Sequence, residues 1–164
     1  MKKHTLLTGL LAVVCGIGIP SCGESECPLT TVSVAHFDFL DSKTHAAVTI
    51  TNGATVTGIS VVDGEVLEDT IYNLAQSSMS LPLSYTDRTT YVMHYSETLR
   101  DTIEVTHKTI PFVSDIECGT MMHYRVEGLR YTTNALDSVV LINPEITNEE
   151  RKNFNIYYRA AESE

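Results

Sequence analysis

Hydrophobic and polar positions alternate along most of the chain after residue 30, where Thr, Val, Ile and Tyr are frequent. Short groups of Gly, Asn, Asp and Ser interrupt the alternation. This pattern is typical of half-buried strands, whose successive side chains point to opposite faces. We predict strands at Thr31–Phe39, Thr44–Thr51, Thr57–Val62, Met79–Tyr85, Thr89–Ser96, Thr102–Thr106, Met121–Gly128, Ser138–Ile142 and Asn153–Arg159.

Turn residues indicate how some of these strands connect. Asn52-Gly53 and Asp63-Gly64 are strong signals for tight hairpins, because both central residues of a type I′ turn need positive φ. Residues 44–72 are therefore predicted to form a three-stranded meander. Pro82 cannot donate to a ladder, which predicts an edge strand there. Residues 147–150 match a capping box, which predicts one helical turn before the last strand.

Eight or nine short strands without a helix-length amphipathic stripe predict an all-β domain. The spacing favours a two-sheet antiparallel β-sandwich of Ig-like or related topology, with a small β-barrel as the alternative. We expect one domain over residues 30–159, followed by a polar tail at 160–164.

The first 21 residues are expected to be a lipoprotein signal peptide. Lys2 and Lys3 precede an apolar run that is too short to span a bilayer. The segment Ile19–Cys22 resembles a bacterial lipobox, which makes Cys22 the expected lipidation site and residues 22–29 a tether. Two alternatives are an ordinary Cys22 after a conventional signal, and lipidation at Cys15 inside the apolar run.

The charge balance argues against a nucleic-acid partner. The chain has 11 Lys and Arg against 21 Asp and Glu, and removal of Lys2 and Lys3 leaves nine against 21, a net charge of −12. Nucleic-acid affinity depends largely on clustered basic residues, and so does attraction to anionic lipid. Residence at a membrane is therefore expected to come from acylation alone.

Two cysteines remain if Cys15 is removed and Cys22 is acylated. In an oxidising envelope, Cys27 and Cys118 most simply form one disulfide. It closes a loop of about 90 residues, which is worth about 4–5 kcal/mol in the chain-entropy model. A metal or redox pair is the alternative, but neither cysteine lies in a C-x-x-C motif.

An ordered set of short motifs resembles a group of Bacteroidetes outer-membrane lipoproteins that is known only as a domain of unknown function. The motifs are Asp69-Thr70-Ile71, Leu81-Pro82-Leu83, Asp101-Thr102-Ile103, Glu117-Cys118-Gly119, Asp137-Ser138-Val139 and Asn153-Phe154-Asn155-Ile156-Tyr157. The resemblance implies a small β-rich envelope lipoprotein and no catalytic residues. Gly23 follows Cys22, and the nearby Glu24 and Glu26 partly match a surface-export signal. We expect an outer-membrane location, facing either the periplasm or the surface.

Three of these motifs also resemble the O-glycosylation sequence of Bacteroidetes envelope proteins, in which Asp precedes Ser or Thr and an aliphatic residue. They make Thr70, Thr102 and Ser138 candidate acceptors. The simpler interpretation is the ordinary alternation of Thr and aliphatic residues on strands. Intact-mass measurement on protein from the native host distinguishes the two.

The scan for catalytic chemistry is negative. The chain contains no H-E-x-x-H, G-x-S-x-G or S-x-x-K motif and no phosphate-binding glycine loop. His36 and Asp38 share one strand face and are weak metal candidates, with His45 or Asp41 nearby. A solvated polar row is the favoured interpretation.

Other soft or acidic groups have simpler interpretations. Met93-His94 and Met121-Met122-His123 resemble copper ligands, but adjacent strand residues point to opposite faces. Acidic turns at 63–65 and 68–69 lack regular calcium-loop spacing. Six tyrosines could stack on sugars or anchor a partner, although strand tyrosines are more commonly core residues. They are Tyr91, Tyr95, Tyr124, Tyr131, Tyr157 and Tyr158.

The expected function is that of a lipid-anchored binding or accessory module without a cofactor, engaging another outer-membrane or surface protein. The alternatives are a small glycan- or metal-binding lipoprotein and, less favoured, an enzyme with an unrecognised site.

Overall fold

The computed structural model describes residues 27–28, 30–50, 54–62, 65–73, 76–113, 115 and 117–159. These residues form ten strands and no helix. The strands are β1 (Val34–Asp41), β2 (Thr55–Val62), β3 (Glu65–Asn73), β4 (Ser78–Pro82), β5 (Arg88–His94), β6 (Arg100–Val113), β7 (Thr120–Tyr131), β8 (Leu136–Leu141), β9 (Glu145–Ile146) and β10 (Lys152–Tyr158). No helix in this part of the chain is long and apolar enough to cross a membrane.

The strands form two open sheets, which confirms the predicted all-β sandwich. The smaller sheet has the order β4-β1-β10-β8, and the larger has the order β3-β2-β5-β6-β7-β9. All pairs are antiparallel except β1 and β10, which run parallel at the centre of the smaller sheet. The prediction was an antiparallel arrangement throughout, and this parallel pair departs from it. Parallel strands cannot be joined by a short hairpin, and here the first and last strands are neighbours with all other strands between them in the chain.

The core forms where the alternating apolar faces of the two sheets meet. In β1 the residues Ala35, Phe37 and Phe39 are buried. Phe37 stacks on Phe154 of the neighbouring β10, with ring centroids 4.6 Å apart. It also meets Tyr91 of the opposite sheet edge-to-face at 5.7 Å. The period-two pattern of the sequence therefore marks the inward face correctly.

One of the two predicted hairpins is present. β2 and β3 pair as antiparallel neighbours up to Val62 and Glu65, as predicted, and the turn residues Asp63-Gly64 between them lie outside the described residues. The predicted hairpin between Thr44–Thr51 and the next strand is wrong, because β2 pairs with β3 and β5 instead. Its turn at Asn52-Gly53 lies outside the described residues.

The segment predicted as Thr44–Thr51 forms no strand over its described part, which follows a turn at the end of β1. Asp41 accepts hydrogen bonds from the backbone N–H and the hydroxyl of Thr44 at 2.7 and 2.9 Å, which folds the chain sharply after β1. These bonds lower the pKa of Asp41. A single antiparallel bridge then pairs Leu40 with Ala47, beyond Asp38, the last residue of β1 that pairs with β4. Local hydrogen bonding to the Asp41 carboxylate therefore outweighs the alternating sequence pattern that predicted a strand here.

The proline and capping-box predictions have opposite outcomes. Pro82 ends β4, which is an edge strand as predicted. The predicted helical turn at residues 147–150 is absent. Thr147 Oγ1 accepts from the N–H of Glu149, two residues on, instead of capping a helix. The two residues before it pair with β7 as β9, and this pairing fixes an extended backbone.

β6 is much longer than the predicted Thr102–Thr106. It pairs with β5 only over Arg100–Thr106 and then continues as a ribbon with β7 as far as Val113. Pro111 lies in this second half, opposite Met122. β5 does not pair with this part of β6, so β6 has a strand neighbour on one side only. A proline, which has no N–H to donate, is tolerated at such an edge position.

Asp101, at the start of β6, is a fully buried carboxylate that links the two sheets. It accepts hydrogen bonds from the Thr132 hydroxyl and from the N–H groups of Asn134, Ala135 and Leu136, all between 2.7 and 2.9 Å. Burial raises the pKa of Asp101, but these hydrogen bonds outweigh burial and lower the pKa overall. The carboxylate thus fixes the crossing from β7 to β8.

His107 is a buried imidazole on β6. Its Nε2 lies 2.7 Å from the Thr89 hydroxyl, and its ring meets Tyr124 edge-to-face at 5.2 Å. Its Nδ1 is buried without a hydrogen-bond partner. Burial lowers the pKa of His107, against a smaller opposing effect of Asp87.

The lowered pKa of His107 predicts a pH dependence of stability. The unfolded state binds a proton more readily, so stability is expected to be complete above about pH 6.5 and to fall as pH decreases towards the folded pKa. Urea unfolding of wild type and His107→Gln between pH 8 and pH 5 measures the effect. The free energy of unfolding should fall less with acidification in the variant. Parallel curves for the two proteins contradict the prediction.

Candidate functional site

One end of the sandwich is set apart by the Cys27–Cys118 disulfide, and we call it the disulfide end. β1 and β10 begin at this end, β4 finishes there, and β6 turns into β7. The two cysteines are 91 residues apart and their Cα atoms are separated by 5.3 Å. The bridge matches the pairing predicted from the cysteine count. Next to it, Gly119 adopts a φ of +76°, a conformation that glycine adopts without steric strain.

Exposed apolar side chains concentrate at the disulfide end. Five of the eight large exposed hydrophobic residues in the described part of the chain lie there, namely Val32, Tyr85, Phe112, Val113 and Ile142. The other three are Leu99 and Tyr131 towards the opposite end and Val140 along β8. Single exposed hydrophobics are ordinary, but a group of them around clefts indicates a contact surface.

The first cleft at this end lies between the end of β4 and the start of β7, and we call it the uncharged cleft. It has a volume of about 450 Å³. None of its lining residues is ionised at neutral pH, and they are Thr31, Val32, Ser33, Pro82, Leu83, Tyr85, Thr120, Met121, Met122 and Tyr124. Ser33 is 5% exposed, and its hydroxyl has no hydrogen-bond partner. Volume and lining match those of small-molecule sites.

The second cleft, of about 410 Å³, has a charged lining that includes Glu145, Glu149 and Arg151. Arg151 pairs with Glu149 at 2.6 Å, and Glu145 pairs with Arg125 at 2.7 Å. The ring of His123 stacks on Phe112 at 4.5 Å, and its Nε2 is buried without a partner. Because the charges largely neutralise one another, this cleft offers no concentrated field to an ionic ligand.

The N-terminal segment separates the two clefts. Pro28 lines the charged cleft, whereas Thr31, Val32 and Ser33 line the uncharged one. Asn148 Nδ2 donates to the carbonyl of Thr30 at 3.1 Å, and the disulfide holds the segment's other end. The position of this N-terminal segment therefore shapes both clefts.

The weak metal candidates His36 and Asp38 have other partners. His36 Nδ1 lies 2.8 Å from the Ser80 hydroxyl, and Asp38 forms an ion pair with Lys152. The nearby His45 adopts a left-handed φ of 57° and packs against a tyrosine ring. Among the described residues, no group of three or more His, Cys, Asp or Glu side chains could hold a metal ion.

The methionine–histidine pairs are arranged as the alternation of strand faces predicts. Met93 is fully buried in the core, while His94 Nε2 lies 3.0 Å from the Thr57 hydroxyl. Met122 lines the uncharged cleft, whereas the adjacent His123 lines the charged one. Neither pair brings its sulfur and imidazole together as ligands.

The candidate glycosylation residues lie in different environments. Thr102 is half-buried on β6, and the aspartate of its motif is the buried Asp101. Ser138 is half-buried on β8, with its hydroxyl 3.4 Å from the exposed Asp137. Thr70 lies on the edge strand β3, and its side chain lies outside the described residues. Asp101 has a structural role of its own in one of the three motifs, and acceptor use at Thr70, Thr102 and Ser138 stays a prediction.

Most of the six tyrosines singled out from the sequence belong to the interior. Tyr91 is buried and donates to the Pro82 carbonyl at 2.7 Å. Burial raises the pKa of Tyr95 and Tyr158, whose hydroxyls lie 3.2 Å apart. The exposed tyrosine at the disulfide end is Tyr85, at 79%, which sequence reasoning missed. The signal in the sequence that could have indicated its exposure was its position three residues after Pro82, which ends the edge strand.

Comparison with known proteins gives a family without an assigned activity. No curated protein and no solved structure matches the chain. A family model described as "Family of unknown function (DUF6452)" matches residues 53–158, from β2 to the end of β10. This match covers more than half of the chain and includes every strand except β1, which lies before it. The chain therefore belongs to the DUF6452 family.

Proposed function

We propose that this protein is an accessory module of the outer membrane, anchored by a lipid on Cys22, and that its disulfide end contacts a neighbouring membrane protein. The leader and the lipobox-like sequence support the anchor. The proposal includes no catalysis and no cofactor. The observation that carries it is the concentration of exposed apolar residues at the end where the tether enters.

Tether length supports this orientation. Cys22 and Cys27 are five residues apart, and an extended chain spans at most about 3.5 Å per residue. A lipid on Cys22 would therefore hold Cys27 within about 18 Å of its attachment point. The disulfide transmits that restraint to Cys118 and to the β6–β7 ribbon. Phe112 and Val113, at the tip of the ribbon, then face the membrane or a protein beside it.

The chemistry of the ribbon tip supports a protein partner. Phe112 and Val113 are 42% and 54% exposed, beyond the last residue of β6 that β5 covers. They are consecutive on β6, so their side chains point to opposite faces of the ribbon, and each face carries one exposed apolar residue. Exposed aromatic and aliphatic side chains are typical anchors of protein interfaces. The mature net charge of −12 disfavours direct adhesion to anionic lipid. An apolar surface of an integral membrane protein fits both properties.

Photo-crosslinking in cells tests this proposal. A photoreactive phenylalanine analogue at Phe112 is expected to give one discrete adduct with a membrane protein. The matched control is Tyr131, which is 38% exposed near the opposite end. It should give none. Equal adducts at both positions, or adducts at neither, contradict the proposal.

The same experiment separates the role of the anchor. Cys22→Ala should abolish the adduct at position 112 and release the protein from the membrane fraction, because the tether no longer holds the disulfide end in place. Cys15→Ala should leave both unchanged, since Cys15 lies in the expected leader. Retention of Cys22→Ala in the membrane fraction contradicts anchoring through this residue.

A further inference from the structure

The uncharged cleft has the properties of a ligand site that the proposed function does not use. We propose that it binds a neutral long-chain acyl ester, with the hydrocarbon chain along its apolar lining and the ester carbonyl accepting a hydrogen bond from Ser33. This inference goes beyond the proposed partner contact, which centres on Phe112 and Val113. Neither residue lines the uncharged cleft.

The lining limits the charge of the ligand. No Lys, Arg, His, Asp or Glu lines the cleft, although the second cleft at the same end has several. An ionised group that leaves water without a partner pays a desolvation penalty of several kcal/mol. A fatty acid anion or a phosphate headgroup would find no compensating charge there. The cleft therefore fits a neutral ligand.

The hydroxyl of Ser33 indicates where the polar group of that ligand lies. Ser33 is only 5% exposed, and its Oγ has no hydrogen-bond partner. A buried polar group without a partner costs about 1–3 kcal/mol. A ligand carbonyl that accepts from this hydroxyl removes the cost. Such an unpartnered group in a cleft wall is a specific recognition element.

The remaining lining favours an acyl chain over a peptide. A peptide brings a donor and an acceptor with almost every residue, and each needs a partner once buried. A hydrocarbon chain needs none. Val32, Leu83 and Met121 supply aliphatic and thioether surface, and methionine adapts to irregular shapes. The volume of about 450 Å³ lies in the range of small-molecule sites.

Calorimetric titration with matched probes tests the ligand class. The protein carries Cys22→Ser, so that no covalent acyl group is present, and the probes are 1-monolauroylglycerol and laurate below their micellar concentrations. At pH 8 the monoacylglycerol is expected to bind at least about tenfold more tightly than laurate, since 1.4 kcal/mol of unpaired charge gives that factor. It should also raise the thermal midpoint. Equal or tighter binding of laurate overturns the proposal.

Two variants with a matched control locate the site. Val32→Glu places a charge in the lining at a position that is 60% exposed and therefore tolerates the change. A bound acyl chain would cover this position and remove the new carboxylate from water, so Val32→Glu should weaken monoacylglycerol binding at least about tenfold. Val140→Glu, at a 42% exposed position on β8, is the control and should bind like wild type. Unchanged affinity in Val32→Glu, or equal losses in both, overturns the placement.

Ser33→Ala tests the hydrogen bond separately. Loss of one such bond is worth about 0.5–1.5 kcal/mol, so the affinity should fall by about 2- to 10-fold while the thermal midpoint of the free protein stays the same or rises. Unchanged affinity overturns the role of Ser33. Failure of these titrations leaves the Phe112 crosslink intact, so the ligand site and the protein contact are tested independently.

Discussion

Replacing Asp101 with asparagine is expected to lower the free energy of unfolding by about 3–4 kcal/mol. The buried carboxylate accepts from one hydroxyl and three backbone N–H groups. An amide keeps only one oxygen, so its NH₂ group faces the N–H groups of Ala135 and Leu136. Each buried donor left without an acceptor costs about 1–3 kcal/mol.

Asp137→Asn provides the matched control for this experiment. Its carboxylate is exposed, lies 4.0 Å from Arg159 and contacts the Ser138 hydroxyl. Exposed pairs of this kind contribute about 0–1 kcal/mol. Urea unfolding at pH 7 compares the two variants, and similar small losses in both contradict the assigned role of Asp101.

Acidification gives a second measurement of the same carboxylate. The pKa of Asp101 is lowered in the folded protein, so its contribution is complete above the unfolded pKa of about 3.8 and is lost as pH falls through the folded pKa. The stability difference between wild type and Asp101→Asn should therefore shrink below about pH 4. A difference that stays constant on acidification would indicate that the carboxylate charge contributes nothing.

Removal of the disulfide is expected to have an effect of similar size. The double variant Cys27→Ser, Cys118→Ser should lose about 4–5 kcal/mol, because the loop of 91 residues is then free in the unfolded state. The measurement is urea unfolding of oxidised wild type and of the double variant. A reducing agent should bring wild type to the midpoint of the variant and leave the variant unchanged.

A local readout completes the disulfide prediction. The hydrogen bond from Asn148 to Thr30 is a weak restraint on the N-terminal segment compared with the covalent bridge. Limited proteolysis should therefore cleave residues 27–33 first in the reduced protein. Identical cleavage patterns and midpoints with and without the bridge contradict its proposed role.

Local signals predicted much of the fold. The Asp63-Gly64 hairpin and the Pro82 edge follow from the conformational limits of single residues, and the Cys27–Cys118 bridge follows from counting thiols. The failures occurred where side chains act at short range against a pattern. Asp41 caps a turn inside an apparent strand, and pairing with β7 extends a segment that looked like a helix start.

Long-range features of the site left no signal in the sequence. Asp101 looked like part of a modification motif, yet its partners lie more than 30 residues away. The uncharged cleft combines residues from three separate segments, and no spacing marks them as neighbours. Tyr85 had a local signal in its position after Pro82, but its exposure depends on what packs around the loop. Such properties arise from tertiary packing and become visible only in the folded molecule.

The parallel pairing of β1 with β10 governs the order in which this protein can assemble. His36 lies opposite Lys152, so the centre of the smaller sheet joins residues that are far apart in the chain. A chain that leaves a ribosome or a translocation channel N-terminus first cannot close this sheet until its last strand has emerged. Contacts of such long sequence separation also slow folding. Until β10 is available, Phe37 of β1 lacks the Phe154 ring on which it stacks, so the core of the smaller sheet is completed last.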